Sequence, residues 1–300
     1  MSKSMWQGVI PAITTPFTED GQVDHDFLAR HALWQLDAGC KGILPLGSLG
    51  ESATLEFGEK VAIVRTLVKA LGERAPVIAG IAALSTDEAV RLAKACKQEG
   101  ARGLMILPPY VYTSDWAEMG EYIRAVIRAT DLPVLLYNNP IAYKTDFTPE
   151  QVAELAAEFP QVEAIKESSG DIRRFAAIQA LIGDRLVMMT GIDDAIVEGI
   201  AMGATGWIAG QVNAFPRESV VLFEGALKGG YPAVKALYDW FLPLLRLDVG
   251  PKFVQMIKLT QQYVDRGSER VRAPRLQLTG AERAAVVRII EHGIKNRPEL

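Results

Sequence analysis

The chain has 300 residues, 49% hydrophobic and 23% charged, with a formal net charge of -4 at pH 7. This length and balance suit a soluble globular protein with one large core and one main domain. The sequence has no basic block and no interleaving of basic with aromatic residues, which points away from nucleic acid and anionic membranes and towards a small-molecule partner.

Two cysteines, Cys40 and Cys96, lie far apart in expected helical regions. They fit packing roles in a reducing compartment better than a disulfide scaffold. The N-terminal stretch MSKSMWQGVIPAITTPF lacks the apolar core and cleavage site of a secretion signal. No apolar run approaches the roughly 20 residues needed to cross a bilayer. A cytoplasmic location is expected.

Short runs rich in Val, Ile, Leu and Gly alternate with longer segments of helical periodicity, the signature of a parallel sheet. Strands are expected at Val9 to Thr15, Gly42 to Leu46, Val77 to Ala82, Gly103 to Leu107, Val134 to Tyr137, Val162 to Lys166, Leu186 to Thr190 and Ala204 to Ile208. The intervening helices are Asp24 to Ala38, Glu56 to Leu71, Ser85 to Gln98, Asp115 to Ala129, Thr148 to Glu158 and Asp171 to Ile182. Several open on a capping residue, as Ser85 followed by Glu88 illustrates. Repeated βα units of this number favour a (β/α)₈ barrel over an open doubly wound sheet. Helical segments at Pro216 to Leu227, Pro232 to Leu244, Lys252 to Asp265 and Ala281 to Lys295 exceed what one barrel repeat needs. The expected division is therefore a barrel over residues 1–230 and a C-terminal helical appendage over 231–300 packed on it.

The segment VEAIKES puts Lys166 at the C-terminal end of the expected sixth strand, where barrel active sites lie. Alternation along the strand places Val162, Ala164 and Lys166 on one face. Two readings are open: an amine activated by burial to attack a carbonyl, or a snorkelling lysine paired with a carboxylate such as Glu167. In PVLLYNNP, Tyr137 ends the neighbouring strand on the face of Leu135, and strands about 5 Å apart would bring it beside Lys166. A phenol there can shuttle protons, or it is a core tyrosine with a satisfied hydroxyl. The second strand runs into GILPLGSLGE, a Gly-rich turn that either presents backbone N–H groups and the Ser48 hydroxyl to a carboxylate or serves only as a tight connection.

GSLGE, YNNP and IKES, in this order on such a pattern, resemble the dihydrodipicolinate synthase and N-acetylneuraminate lyase superfamily. The resemblance spans nearly the whole chain. It implies a class I aldolase-type enzyme that needs no metal or other cofactor and takes a 2-oxo acid substrate, assembled as a homotetramer, a dimer of dimers. By the same resemblance Lys166 is the Schiff-base lysine and Tyr137 the catalytic tyrosine. Ser48 and Leu49 serve the substrate carboxylate and the proton relay. Gly191 and Ile208 line the pocket on the last two strands, although strand-end packing is an equal reading for each.

Departures from the family's synthases bear on the substrate. Where those enzymes place an arginine that binds the aldehyde's carboxylate, this chain has Ala142, with Lys144 close by as a point-charge substitute. Leu49 replaces a second relay hydroxyl, and Val111 stands where the cross-dimer tyrosine would be, flanked by Tyr110 and Tyr112. These changes, with YNNPIAYKTDF and GPKF, point to 2-oxo acids from hydroxyproline or sugar-acid breakdown, handled by aldol cleavage, dehydration or deamination. The alternatives are 4-hydroxy-tetrahydrodipicolinate synthesis from pyruvate and aspartate semialdehyde, and a non-catalytic small-acid-binding barrel. A phosphate-binding barrel isomerase would draw on Gly203 to Gly206, which enters the eighth strand instead of leaving it.

His25, His31 and His292 do not cluster with acidic or cysteine neighbours, and surface or packing roles are expected for them. Asp193-Asp194 is expected to cap the following helix. Glu51 either orients the Gly-rich turn or is a solvated helix-start carboxylate.

Overall fold

The computed structural model describes residues 3–110 and 112–300. The regular strands are β1 (Gly8–Pro11), β2 (Ile78–Ile81), β3 (Gly103–Ile106), β4 (Val134–Asn138), β5 (Val162–Glu167), β6 (Val187–Thr190) and β7 (Gly206–Ala209). They form one parallel seven-stranded sheet in the order β1-β7-β6-β5-β4-β3-β2. The expected second strand, Gly42 to Leu46, does not extend into a regular ladder. It makes single bridges on both sides, Ala12 to Leu44 and Ile43 to Val77. Ile13 N–H donates to Leu44 O at 3.0 Å and Gly80 N–H to Pro45 O at 2.9 Å. Leu46, at φ 65°, then turns the chain out of extended geometry, which limits the pairing.

The helices follow the strands in alternation: α1 (His25–Asp37), α2 (Phe57–Leu71), α3 (Thr86–Gln98), α4 (Trp116–Arg128), a single turn α5 (Pro140–Tyr143), α6 (Pro149–Glu158), α7 (Arg173–Ile182) and α8 (Ile196–Ala201). Their starts are written locally. The side chains of Asp24, Ser85 and Asp115 accept from the third residue on, and Thr148 with Gln151 forms a full capping box. Beyond β7 come α9 (Pro216–Leu245), kinked at Gly230, then α10 (Phe253–Tyr263) and α11 (Gly280–Lys295). No described helix is long and apolar enough to cross a membrane.

Alternation sorts the strand residues into two cores. Outward side chains such as Leu104, Leu136 and Ile165 pack with Ile63, Leu92 and Ile123 of the helices. Inward ones, among them Ile10, Leu135, Tyr137, Ala164 and Ile208, pack on one another and on Trp6. Val162 breaks the expected pattern. It joins the outer core while Ala164 faces inward, because the β4–β5 register shifts at Val134/Leu135 and Glu163 is bulged. Trp6 Nε1 donates to the bulged Glu163 at 2.9 Å.

Cys96 lies in α3, whereas Cys40 falls just past the end of α1; both are buried and free. Burial pushes each thiol up to about 12, as expected of packing residues. His31 is buried on α1, its Nε2 near Asn213 Oδ1 at 3.3 Å and Gln261 Nε2 at 3.3 Å, within a polar cluster completed by Gln35 and Thr14. Burial lowers its pKa from 6.5 to about 4.

The folded state therefore keeps His31 neutral while the unfolded chain protonates it, so stability contributed by this group is lost as pH falls from about 6.5 to 4. With one pKa unit worth about 1.4 kcal/mol, the loss is about 3 kcal/mol. Urea titrations across this window should show a flatter pH dependence for His31→Gln than for the parent. Parallel profiles would contradict this.

Candidate active site

The inner face of the sheet opens at the strand C-terminal ends into a cavity of about 440 Å³. β4 and β5 place Tyr137 directly opposite Lys166 in the parallel ladder. Both side chains line the cavity; Tyr137 is 4% exposed and Lys166 is 7% exposed. The Lys166 amine stands 4.1 Å from the centre of the Tyr137 ring. Among the described residues it forms no ion pair. Glu167, the alternative partner, faces the other side of the strand and accepts from Asn138 Nδ2 at 3.0 Å and from Ser169 N–H at 2.7 Å. Asn139 Nδ2 donates to the Tyr137 hydroxyl at 2.9 Å.

Space for the lysine is made by Gly191. A β-carbon there would stand 2.6 Å from Lys166 Cε and 2.7 Å from Lys166 Cγ, and would also strike Ser168 Oγ. Ser168 lines the cavity, is 2% exposed, and its hydroxyl has no partner among the described residues.

The Gly-rich turn supplies the third wall. Ser48 and Leu49 both line the cavity, and their amide groups have no protein acceptor among the described residues. The turn is held by Thr15 Oγ1 donating to Gly50 O at 2.7 Å, and it carries two non-glycine residues at positive φ, Leu46 at 65° and Glu51 at 56°. Glu51 is fully buried and not solvated. It pairs with Lys258 of α10 at 2.5 Å and accepts from Arg272 N–H at 3.0 Å. Burial pulls the Lys258 ammonium down to about 8 against the opposing pull of Glu51.

Of the residues expected from sequence, Lys166, Tyr137, Ser48, Leu49, Gly191 and Ile208 meet at this one cavity. Lys144 does not join them. It is exposed, takes a left-handed conformation at the end of α5, and donates from Nζ to Ile141 O at 3.1 Å. Ala142 lines the outer wall. Val111 lies outside the described residues. Asp193 does not cap α8. It is fully buried and accepts from Trp207 Nε1 at 3.0 Å and Gln211 N–H at 2.7 Å, so it braces the end of β6 against the end of β7. Burial raises its pKa to about 6. Asp194 pairs with Arg246 at 3.6 Å.

Tyr143 escaped the sequence reading. Its hydroxyl shares a hydrogen bond with Ser48 Oγ, and its ring packs edge-on against Tyr137 at 5.9 Å and beside Tyr110 at 5.7 Å. Burial, first of all, raises its pKa. The signal was present, since Tyr143 ends the same YNNPIAY run that Tyr137 begins.

A curved parallel α/β sheet with a buried lysine and tyrosine in its mouth defines a class of aldolase-type lyases. The comparisons with known proteins agree. The model of the dihydrodipicolinate synthetase family matches residues 5–293, and the chain belongs to that family. Its members are class I lyases. The chain is 31% identical over 294 residues to the 4-hydroxy-tetrahydrodipicolinate synthase of Agrobacterium fabrum, covering 97% of this chain and 100% of that one. The structure of the 4-hydroxy-tetrahydrodipicolinate synthase of Methylacidiphilum fumariolicum superposes with a TM-score of 0.92 at 26% identity, over 96% of each chain. A prophage protein of the same family from E. coli K12, solved in complex with pyruvate, superposes with a TM-score of 0.90 at 26% identity, over 96% of this chain and 99% of that one.

If Gly191 exists to admit the lysine, Gly191→Ala should displace the Lys166 side chain. A misplacement of about 1 Å is expected to lower kcat on the order of 100-fold while the far-UV circular dichroism is retained. An active alanine variant would show that the lysine has slack.

Proposed function

We propose that this protein is a lyase that binds a 2-oxo acid of the pyruvate type as a Schiff base on Lys166. The observation that carries this reading is the buried Lys166 amine 4.1 Å from the Tyr137 ring in a cavity whose third wall holds the Ser48 and Leu49 amides, unpaired among the described residues. The pyruvate complex of the E. coli relative supports the substrate class.

In this mechanism the Ser48 and Leu49 amides fix the substrate carboxylate, with Gly191 and Ile208 shaping the pocket around it. The Lys166 amine attacks the C2 carbonyl, and Tyr137 moves the protons of carbinolamine formation and dehydration. The Ser48 hydroxyl continues the relay, and Tyr143, bonded to it within the same chain, extends it. The protonated imine is an electron sink: the C3–C4 bond can break as a C4 hydroxyl gives up its proton and becomes a carbonyl, or C3 can lose a proton to give an enamine that expels a protonated substituent from C4. Aldol cleavage, dehydration and deamination share this intermediate.

The physiological substrate is proposed to come from hydroxyproline or sugar-acid catabolism, because no guanidinium lines the cavity among the described residues and Ala142 stands in its wall. The second reading, condensation of pyruvate with aspartate semialdehyde, is favoured by the name of the Agrobacterium relative. Assay with that pair of substrates separates the two. A cytoplasmic homotetramer is the proposed working form. Each subunit is taken as a barrel in which residues 42–46 fill the eighth position, followed by helices from residue 231.

Incubation with pyruvate and borohydride, then digestion, should leave the reduced adduct on Lys166; an unmodified Lys166 at saturating pyruvate would sink the proposal. Tyr137→Phe should slow turnover by about 100-fold or more with its melting transition intact, since a positioned proton donor contributes on that scale. Near-normal turnover would remove the phenol from the mechanism.

A further inference from the structure

Two residues of the cavity wall carry a formal charge among those described, Lys166 and Asp248. The Schiff-base reading uses the first and leaves the second without a task. Asp248 closes a 3-10 turn, Arg246–Asp248, at the end of α9. It reaches the wall through a gap opposite Gly210, where a β-carbon would stand 2.7 Å from Asp248 Cγ and would strike Oδ1. Any larger residue at 210 would displace the carboxyl.

No side chain pairs with Asp248 within ion-pair or hydrogen-bond distance among the described residues; the Asp193 backbone faces it. Enclosure first, and then the neighbouring Asp193 carboxyl, hold Asp248 well above the usual carboxylate range, against the pull of Lys166. A second, independent feature points to a polar ligand in the same space: the buried Ser168 hydroxyl, which also lines the cavity and also lacks a partner among the described residues. The cavity wall also includes the apolar Ile141, Ala142, Ile192, Val249, Pro251 and Phe253.

A substrate extending from Lys166 towards this wall meets one acid and no cation beyond the lysine itself. A second carboxylate would lose its hydration and add like charge beside the crowded Asp248 and Asp193 carboxyls for at most one hydrogen bond from Asp248, whereas a hydroxyl can both donate to and accept from that carboxyl and an amine can take its proton. The geometry points to Asp248 as the residue that selects the far end of the substrate. The site takes a 2-oxo acid with a single carboxylate and a hydroxyl or amino group on C4, and it discriminates against 2-oxo acids with a second carboxylate at that end. This rests on the Schiff-base reading and narrows it.

The test compares the parent enzyme with Asp248→Asn and Asp248→Ala on 4-hydroxy-2-oxopentanoate, on its 4-amino analogue and on 4-hydroxy-2-oxoglutarate. The pyruvate adduct is checked by borohydride trapping in each protein. The parent should favour a monocarboxylate over the dicarboxylate on the order of 100-fold in kcat/KM, and both variants should cut that ratio by about tenfold or more, as expected where a site is built to hydrogen-bond a substrate group. Turnover of one analogue over the other identifies the C4 group as hydroxyl or amine. A parent enzyme that accepts the dicarboxylate equally well overturns the inference, and so does a folded, adduct-forming variant with an unchanged ratio. Should either variant fail to fold, the parent's ratio decides alone. Absence of the pyruvate adduct in the parent would instead overturn the Schiff-base reading beneath it.

Discussion

Register between β4 and β5 sets the chemistry of the cavity. Side chains alternate along a strand, so a slip of one residue would turn Lys166 into the helix layer and bring Glu167 inward. The pairing that prevents this places Tyr137 opposite Lys166 and Asn138 opposite Glu167. It is anchored on both faces. Inside, Leu135 and Ala164 pack in the inner core; outside, Leu136 and Ile165 pack against the helices. Asn138 then ties the outward Glu167 to the loop beyond by accepting from Phe147 N–H at 2.9 Å. The bulge at Glu163 adjusts the lower half of β5 without disturbing the upper half, where the lysine stands.

A second constraint holds the Gly-rich turn. Glu51 and Lys258 are buried together, 207 residues apart in sequence, with Phe17 stacked 4.4 Å from the ammonium. Removing one partner of such a pair strands a charge in the interior and costs about 3 to 5 kcal/mol. The pair links the turn to α10, and Lys258 also donates to Arg270 O at 2.7 Å. Arg272 closes the clasp by donating to Glu59 of α2 at 2.6 Å and to Thr54 O at 3.1 Å. The C-terminal helices thus act on the cavity from behind, by holding the backbone whose amides face it. Asp193 does the same for β6 and β7 with three backbone and indole donors.

Much of this was legible beforehand. The strand and helix alternation, the caps at Ser85 and Thr148, the inward Tyr137 and Lys166 and the turn at Ser48 all follow from periodicity and neighbours a few residues away. The misses have physical causes. Gly42 to Leu46 has strand composition but bridges only singly, as the left-handed Leu46 ends its extended geometry. Val162 faces outward because a bulge, invisible to strict alternation, absorbs one residue. Lys144 looked like a cavity cation by proximity, yet α5 turns its side chain back onto Ile141. Asp193 looked like a helix cap by position and serves instead as a strut across strands.

By itself the sequence determined the alternation of strands and helices and the inward Tyr137 and Lys166 at two strand ends, because these depend on the backbone repeat and on local hydrogen bonds. Tertiary structure alone decided which distant groups share the cavity with Lys166. Ser168 Oγ has room at the cavity wall only because residue 191 carries no β-carbon. Asp248 enters only where Gly210 leaves room, and Tyr143 meets Ser48 only once α5 has folded over the turn. Such meetings are set by the curvature of the sheet and the path of the C-terminal helices, and no local pattern encodes a contact between residues that far apart.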